Sequence, residues 1–212
     1  MMNKEKIVLV GSGQHARVVL YNIEAQGMYD VACILDADKT KIGTFFEGYP
    51  IVGDYSDLKM IEETYNTNKF FIAFGNMKYR KQVYEKFVSE GWKAVNIIHP
   101  NAVVSKQAHI GSGVLIECGC LVTPNPIIGD NVVINTGSQV NHDNIIGNHV
   151  YIASGVVLSG GVEIKENTLL DDGVIVTLGC IVPSNSVVGA GAVVTKKLEQ
   201  EGIYVGVPAR KK

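Results

Sequence analysis

No apolar stretch in this chain is long enough to cross a bilayer. Its apolar runs, such as Ile7–Val10 and Ala192–Val194, hold only a few residues, where a spanning helix needs about 20. An excess of one charge is also missing. Lys and Arg number 19 against 21 Asp and Glu, for a net charge of −2, so no basic surface is offered to nucleic acid. The four cysteines, Cys33, Cys118, Cys120 and Cys180, form neither a CxxC pair nor a disulfide framework. A reducing cytoplasm is their simplest setting. The opening Met-Met-Asn-Lys-Glu-Lys runs straight into a strand-like segment, so no leader peptide is expected. What is left is a globular chain of 212 residues, 46% hydrophobic and 19% charged, long enough for one or two cored domains.

Two halves follow different rules. Residues 1–97 alternate strand and helix patterns. Strands are predicted at Ile7–Val10, Val31–Leu35, Phe70–Phe74 and Ala94–Ile98, and helices at His15–Gln26 and Lys78–Glu90. This β-α-β order predicts a small, short parallel sheet. Gly11-Ser12-Gly13-Gln14-His15-Ala16 follows the first strand and opens the first helix. Glycines there let backbone N–H groups approach a pyrophosphate at a helix N-terminus. The same G-x-G-x-x-A form suits dehydrogenases. His15 also reads as a helix-start residue, and Asp36 as a turn residue.

From about residue 98 to 197 an aliphatic residue recurs every six positions without a gap, from Val104, Ile110 and Ile116 through to Val188 and Val194. Sixteen positions in strict sixes fit neither a helix nor a plain strand alternation. They fit a hexapeptide β-helix. Four places after each aliphatic lies a small or modest residue, such as Val114, Cys120, Ser138, Val156 and Ala192, with Pro126 the exception. Between them stand turn formers such as Gly111, Asn131 and Gly155, suited to tight corners. Cys120 and Cys180 occupy the small inward slot, so packing explains them. Fifteen six-residue intervals make five coils of three hexads, roughly 24 Å of prism at strand spacing. Residues 198–212 form a C-terminal tail ending Gly206-Val207-Pro208-Ala209-Arg210-Lys211-Lys212.

This pattern resembles the left-handed parallel β-helix of the hexapeptide-repeat transferase superfamily. The resemblance implies an all-β prism behind an α/β, Rossmann-like first domain, and a homotrimer with active sites between neighbouring prisms. Of the five histidines, only His142 and His149 lie mid-prism. The segment Val140-Asn141-His142-Asp143-Asn144-Ile145-Ile146-Gly147 is similar to the catalytic stretch of sugar acyltransferases of the PglD and NeuD types. On spacing alone, His142 and Asp143 read equally as a solvated corner. The resemblance makes His142 the general base and Asp143 the acid that raises its basicity.

Some relatives carry a second histidine where this chain has Tyr151, a residue that still donates a hydrogen bond. The resemblance further assigns acetyl-CoA to Tyr151, Gly155, Gly160, Asp172, Gly189 and Ala190, contacted largely through backbone amides. The basic ending resembles that of hexapeptide acyltransferases, and Lys211 and Lys212 are available to CoA phosphates. In the first domain it assigns the nucleotide-sugar to Gly13, Gln14, His15, Asp36 and Gly75. No metal is implied.

The function so implied is acetyl-CoA-dependent N-acetylation of a nucleotide-activated amino sugar, a UDP-linked or related 4-amino-4,6-dideoxy sugar, for glycan or surface polysaccharide synthesis in the cytoplasm. The nearest rival is O-acetylation of a sialic acid or another sugar. A zinc lyase of the γ-type carbonic anhydrase kind needs three convergent histidines, and the spacing of His109, His142 and His149 does not match that family. A catalytically silent nucleotide-binding scaffold is the remaining class.

Overall fold

A computed structural model describes residues 4–212. The chain divides into two compact units, one running to Ile97 and the other from Ile98 to Lys212. Among the described residues, no helix is long and apolar enough to cross a membrane.

In the first unit β1 (Glu5–Val10), α1 (Gln14–Gln26) and β2 (Tyr29–Leu35) form the opening β-α-β unit. After it come β3 (Phe45–Phe46), β4 (Tyr49–Gly53), α2 (Leu58–Tyr65), β5 (Lys69–Ile72), α3 (Met77–Ser89) and β6 (Lys93–Ala94). The sheet order is β3-β4-β2-β1-β5-β6. All neighbours are parallel except the β3–β4 hairpin. The sheet therefore has six strands, more than the short sheet expected. The apolar run of β1 is buried on both faces, as a central parallel strand must be. Phe70, Phe87 and Trp92 stack on one face, with the Phe70 and Phe87 rings 4.6 Å apart.

Three expectations need correction. β3, β4 and α2 carry no strong period. The strand expected at Phe70–Phe74 stops at Ile72, because Phe74 turns away to pack on Gly11, whose missing Cβ would stand 2.8 Å from that ring. The run Ala94–Ile98 is split. Ala94 ends the first sheet, whereas Ile97–Ile98 opens a ladder of the second unit.

The second unit is a three-sided prism of two-residue strands. One face stacks Leu115–Ile116, Val133–Ile134, Tyr151–Ile152, Leu169–Leu170 and Val187–Val188. A second stacks Val103–Val104, Leu121–Val122, Gln139–Val140, Val157–Leu158, Ile175–Val176 and Val193–Val194. The third stacks His109–Ile110, Ile127–Ile128, Ile145–Ile146, Glu163–Ile164 and Ile181–Val182. Every pairing within these stacks is parallel and shifts by eighteen residues, as in Val133 against Tyr151. The hexad aliphatics point inward and form one core with the small corner residues.

Two buried polar side chains in that core bond across the coils. The Ser138 hydroxyl donates to the Ala153 carbonyl at 2.7 Å, and the Asn144 Oδ1 accepts from the Val162 amide at 2.7 Å. The tail is part of the prism: Ile203–Val205 pairs with Val187–Val188, and Arg210–Lys211 folds back on it.

Gly111, Gly129 and Gly147 recur at one corner at eighteen-residue spacing. A Cβ on Gly147 would lie 2.6 Å from the backbone nitrogen of Glu166 in the next coil. Backbone has nowhere to retreat, so a Gly147→Ala change is expected to cost about 2 kcal/mol and lower Tm by several degrees. An unchanged thermal midpoint by circular dichroism would show that the coils are not held this closely.

Candidate active site

The corner between the second and third faces carries His142. Its neighbour Asp143 takes a left-handed conformation, φ 60°, which an aspartate tolerates in a tight turn. That twist brings the carboxylate back onto the ring. Asp143 Oδ2 lies 2.8 Å from His142 Nδ1. Asn125, one coil earlier, donates to Asp143 Oδ1 at 3.3 Å. These two contacts, His142 first, hold the Asp143 carboxyl below its ordinary value. Both side chains are more than half exposed.

The opposite side of the ring lies over Gly160, one coil later. A Cβ at that glycine would stand 2.4 Å from both Nε2 and Cε1 of His142. Gly160 does not have a left-handed backbone; its glycine is required by the imidazole. Among the described residues, Nε2 makes no hydrogen bond. A base so arranged has one nitrogen fixed by a carboxylate and the other presented to solvent at the edge of the prism.

The residues assigned to the cofactor do not all meet His142. Gly160 does. Gly155, Asp172, Gly189 and Ala190 line the corner between the first and second faces, at the other edge of the second face. Tyr151 begins a strand of the first face, the side opposite the His142 corner. One chain therefore separates these residues from the base. Their amides also differ. The N–H groups of Gly155 and Gly189 already donate to the Thr136 and Tyr204 carbonyls, at 3.0 and 2.8 Å, so these two amides are not free to donate elsewhere. Those of Gly160 and Ala190 have no acceptor among the described residues. Asp172 instead holds the amide of Ser154 at 3.0 Å.

Sequence reasoning passed over Asn125 and Asn135. The Asn135 side chain donates to the Tyr151 hydroxyl at 3.1 Å. Both lie one coil from their partners, so the signal was in the register. His149 is buried, with its Nδ1 3.0 Å from Asn131 Nδ2, and serves the corner.

In the first unit, β1 lies between β2 and β5, so the chain leaves it to one side and later returns on the other. The glycine loop sits at this switch point, where parallel sheets open a crevice. A cavity of 290 Å³ lies there, lined by Gly11, Ser12, Gly13, Asp36, Ala37, Lys41, Tyr55, Phe74, Tyr79 and Val83. Gly13 and Asp36 belong to it; Gln14, His15 and Gly75 do not line it.

Burial opposes charge on Asp36. Hydrogen bonds from the Ser12 hydroxyl, the Asp38 amide, Lys41 and the Ser12 amide outweigh it and hold the carboxyl below its ordinary value. Asp36 thus ties the end of β2 to the glycine loop.

The fold and the His142 corner define a hexapeptide-repeat acyltransferase prism joined to an α/β unit with a glycine loop at its switch point. Comparison with known proteins agrees. The model of the PglD N-terminal domain matches residues 6–87, and that of the bacterial transferase hexapeptide, six repeats, matches residues 125–160. PerB from Caulobacter crescentus, solved in complex with CoA and GDP-perosamine, is 35% identical. It covers 100% of this chain and 98% of its own at a TM-score of 0.91. The acetyltransferase domain of PglB from Neisseria gonorrhoeae, solved with acetyl coenzyme A, is 28% identical over 99% of this chain and 100% of that one, TM-score 0.88. The UDP-N-acetylbacillosamine N-acetyltransferase of Bacillus subtilis is 33% identical over 114 residues, 53% of this chain; the match spans about half (51%) of that curated relative's length. This chain belongs to the PglD-type family of hexapeptide-repeat sugar acyltransferases, whose prism is the left-handed β-helix.

His15, in the first turn of α1, is lowered to about 4 by burial and then by the charge of Arg80. Unfolded, it titrates at its ordinary value of 6.5. Between these values the unfolded chain binds the extra proton, so stability rises with pH through the window and falls on acidification. The loss approaches roughly 3 kcal/mol at its lower end. Urea unfolding at about pH 7 and about pH 4.5 should show this loss in the wild type and a smaller one in His15→Gln. Equal losses would remove His15 as the cause.

Proposed function

We propose that this chain is an acetyl-CoA-dependent N-acetyltransferase acting on the amino group of a nucleotide-activated amino sugar. The observation that carries this reading is the His142 imidazole, fixed by Asp143 on one nitrogen and bare on the other above Gly160. The sugar amine attacks the thioester carbonyl and forms the C–N bond. His142 Nε2 takes the amine proton. The C–S bond then breaks and its electrons leave with the CoA sulfur, which collects the proton. Asp143 stabilises the transient imidazolium. Direct transfer needs no covalent acyl-enzyme.

The full-length likeness to PerB, solved with CoA and GDP-perosamine, supports a nucleotide-linked acceptor held at the first unit's cavity. Within that reading Gly13 and Asp36 face the nucleotide, and Gln14, His15 and Gly75 order the loops around it. All four cysteines are free thiols, in keeping with a reducing compartment such as the cytoplasm.

The active unit in this proposal is a homotrimer. The His142 corner and the residues assigned to CoA lie on different parts of one prism, so only a neighbouring copy joins Tyr151 or Ala190 to His142. Outward aliphatics support such packing: Val103, Leu121 and Ile175 on the second face and Ile127 and Ile145 on the third are exposed in the single chain, as interface residues are before association.

His142→Ala should reduce kcat by about a hundredfold to ten-thousandfold. Mass spectrometry of acetyl transfer from acetyl-CoA to UDP-, dTDP-, GDP- and CMP-linked amino sugars reads this directly. Transfer only to sialic acid would replace the N-acetyl reading with O-acetylation, and an unaffected kcat would dismiss His142 as the base. Gly160→Ala pushes the ring aside without touching the core. It should lower kcat by about a hundredfold at unchanged Tm; full activity would show that ring placement is not required.

A further inference from the structure

One inward slot of the prism holds a carboxamide. Four places after each inward aliphatic, from Ala108 to Ala192, the slot is filled by Ala, Val, Cys, Pro, Ser or Thr at every corner but one. The exception is Asn144, two residues after His142 and fully buried. Its Oδ1 accepts from the Val162 amide at 2.7 Å. Its Nδ2 is buried as well and, among the described residues, has no hydrogen-bond partner. An unsatisfied buried donor destabilises a fold. Valine, the commonest occupant of the slot, would bring no such donor. Where a sequence breaks a local rule at a loss of stability, function is the usual reason.

Ser138 shows what a polar residue in this slot needs. Its hydroxyl accepts from the Val156 amide at 3.2 Å and donates to the Ala153 carbonyl at 2.7 Å, so donor and acceptor are both matched. Asn144 matches only its acceptor. What that acceptor holds is the corner after Val157–Leu158, which carries Gly160. The ladder fixes the two ends of this corner, through the Ser159 amide on the Val176 carbonyl and the Glu163 amide on the Cys180 carbonyl, at 2.9 and 3.0 Å. One coil further along the same edge, the Cys180 amide turns back onto the Thr177 carbonyl at 3.1 Å. The Val162 amide, its counterpart, reaches across the coils to Asn144 instead. Two bonds thus tie the Gly160 corner to the His142 corner: the Gly161 amide on the His142 carbonyl at 2.9 Å, and the Val162 amide on Asn144. They act on the two residues directly after the glycine whose Cβ would stand 2.4 Å from the imidazole. With so little room, the spacing of the two corners decides where Nε2 stands.

We propose that Asn144 is a positioning residue for His142: its side chain clamps the Gly160 corner against the imidazole and so fixes the direction of Nε2. Asn144 is sealed inside the prism and touches no reacting atom; it acts through Val162 and Gly160. The inference rests on the reading of His142 as the general base; the clamp and its unmatched Nδ2 stand apart from that reading.

Two variants of the full chain test it: Asn144→Val, which removes the acceptor, and Asn144→Ser, which keeps one of the kind Ser138 offers Val156. Acetyl transfer gives kcat and KM. Side-chain NMR of the five histidines gives a readout apart from turnover, with the His142 signal identified by its loss in His142→Ala. In Asn144→Val, kcat should fall about tenfold with KM for acetyl-CoA little changed. The His142 signal should move, and Tm should hold or rise. Asn144→Ser should recover most of the lost kcat. In a Gly160→Ala background, where the ring is already displaced, Asn144→Val should lower kcat little further. An unchanged kcat or an unmoved His142 signal would overturn the proposal. So would a clearly lower Tm in Asn144→Val, or a chain that does not fold, because Asn144 would then be structural. If the His142 signal moves but wild-type protein acetylates no amino sugar, the enzymatic reading fails and the positioning role stands. If wild-type protein acetylates amino sugars and neither kcat nor the signal responds to Asn144→Val, the reverse holds.

Discussion

The eighteen-residue register of the backbone ladder is the constraint on which everything else in the prism rests. Each coil donates its N–H groups to the carbonyls of the next, so residue i is stacked on residue i+18 with no freedom to drift. A one-residue slip would turn the inward aliphatics out. The same rigidity sets the chemistry. Asn125, Asp143 and the His142 ring above Gly160 form one column because the ladder leaves them nowhere else to be. A flexible loop would have to order such a base at the moment of reaction; here the order is already present.

The register also explains the composition of the corners. One position per corner is left-handed, and its occupants are Gly, Asn, Asp143 and His149. Most serve the turn alone. Gly155 has the geometry such a turn requires, with φ 68° and its amide spent on Thr136. Asp143 uses the same turn geometry for another end, directing a carboxylate at its neighbour. Gly160 is the converse: ordinary in backbone and special in what it leaves room for. Two glycines that look alike in sequence thus have different physical causes.

The prism was legible in the sequence because one side chain in six must fill a narrow interior, and sixteen aliphatics in strict sixes admit few other folds. The first sheet was less so. Tyr49–Gly53 carries Pro50 and a terminal glycine, and α2 is a helix of eight residues whose main signals are its Asp57 cap and the pair Leu58 and Ile61. The apolar run from Ala94 to Ile98 hid a change of sheet, since local hydrophobicity does not say which sheet a residue will join. The adjacency of His142 and Asp143 left a base and a solvated corner equally open, and only the resemblance chose between them, as it did for Gly13 and Asp36 at their strand ends. Asn125 and Asn135 were not legible, because each acts across a coil, on Asp143 and Tyr151. The division of Tyr151, Gly155 and Ala190 from His142 follows from the triangular section, which no linear spacing displays.

One chemical demand meets this architecture at the corner. A proton must leave the attacking amine, which His142 is placed to take. The most direct test of the central claim is the bond formed in the product. Acetyl transferred from acetyl-CoA to a nucleotide-linked amino sugar should survive neutral hydroxylamine, as an amide does, and the sugar amine should no longer react with amine reagents. An acetyl group released by hydroxylamine, with the amine still free, would contradict the account.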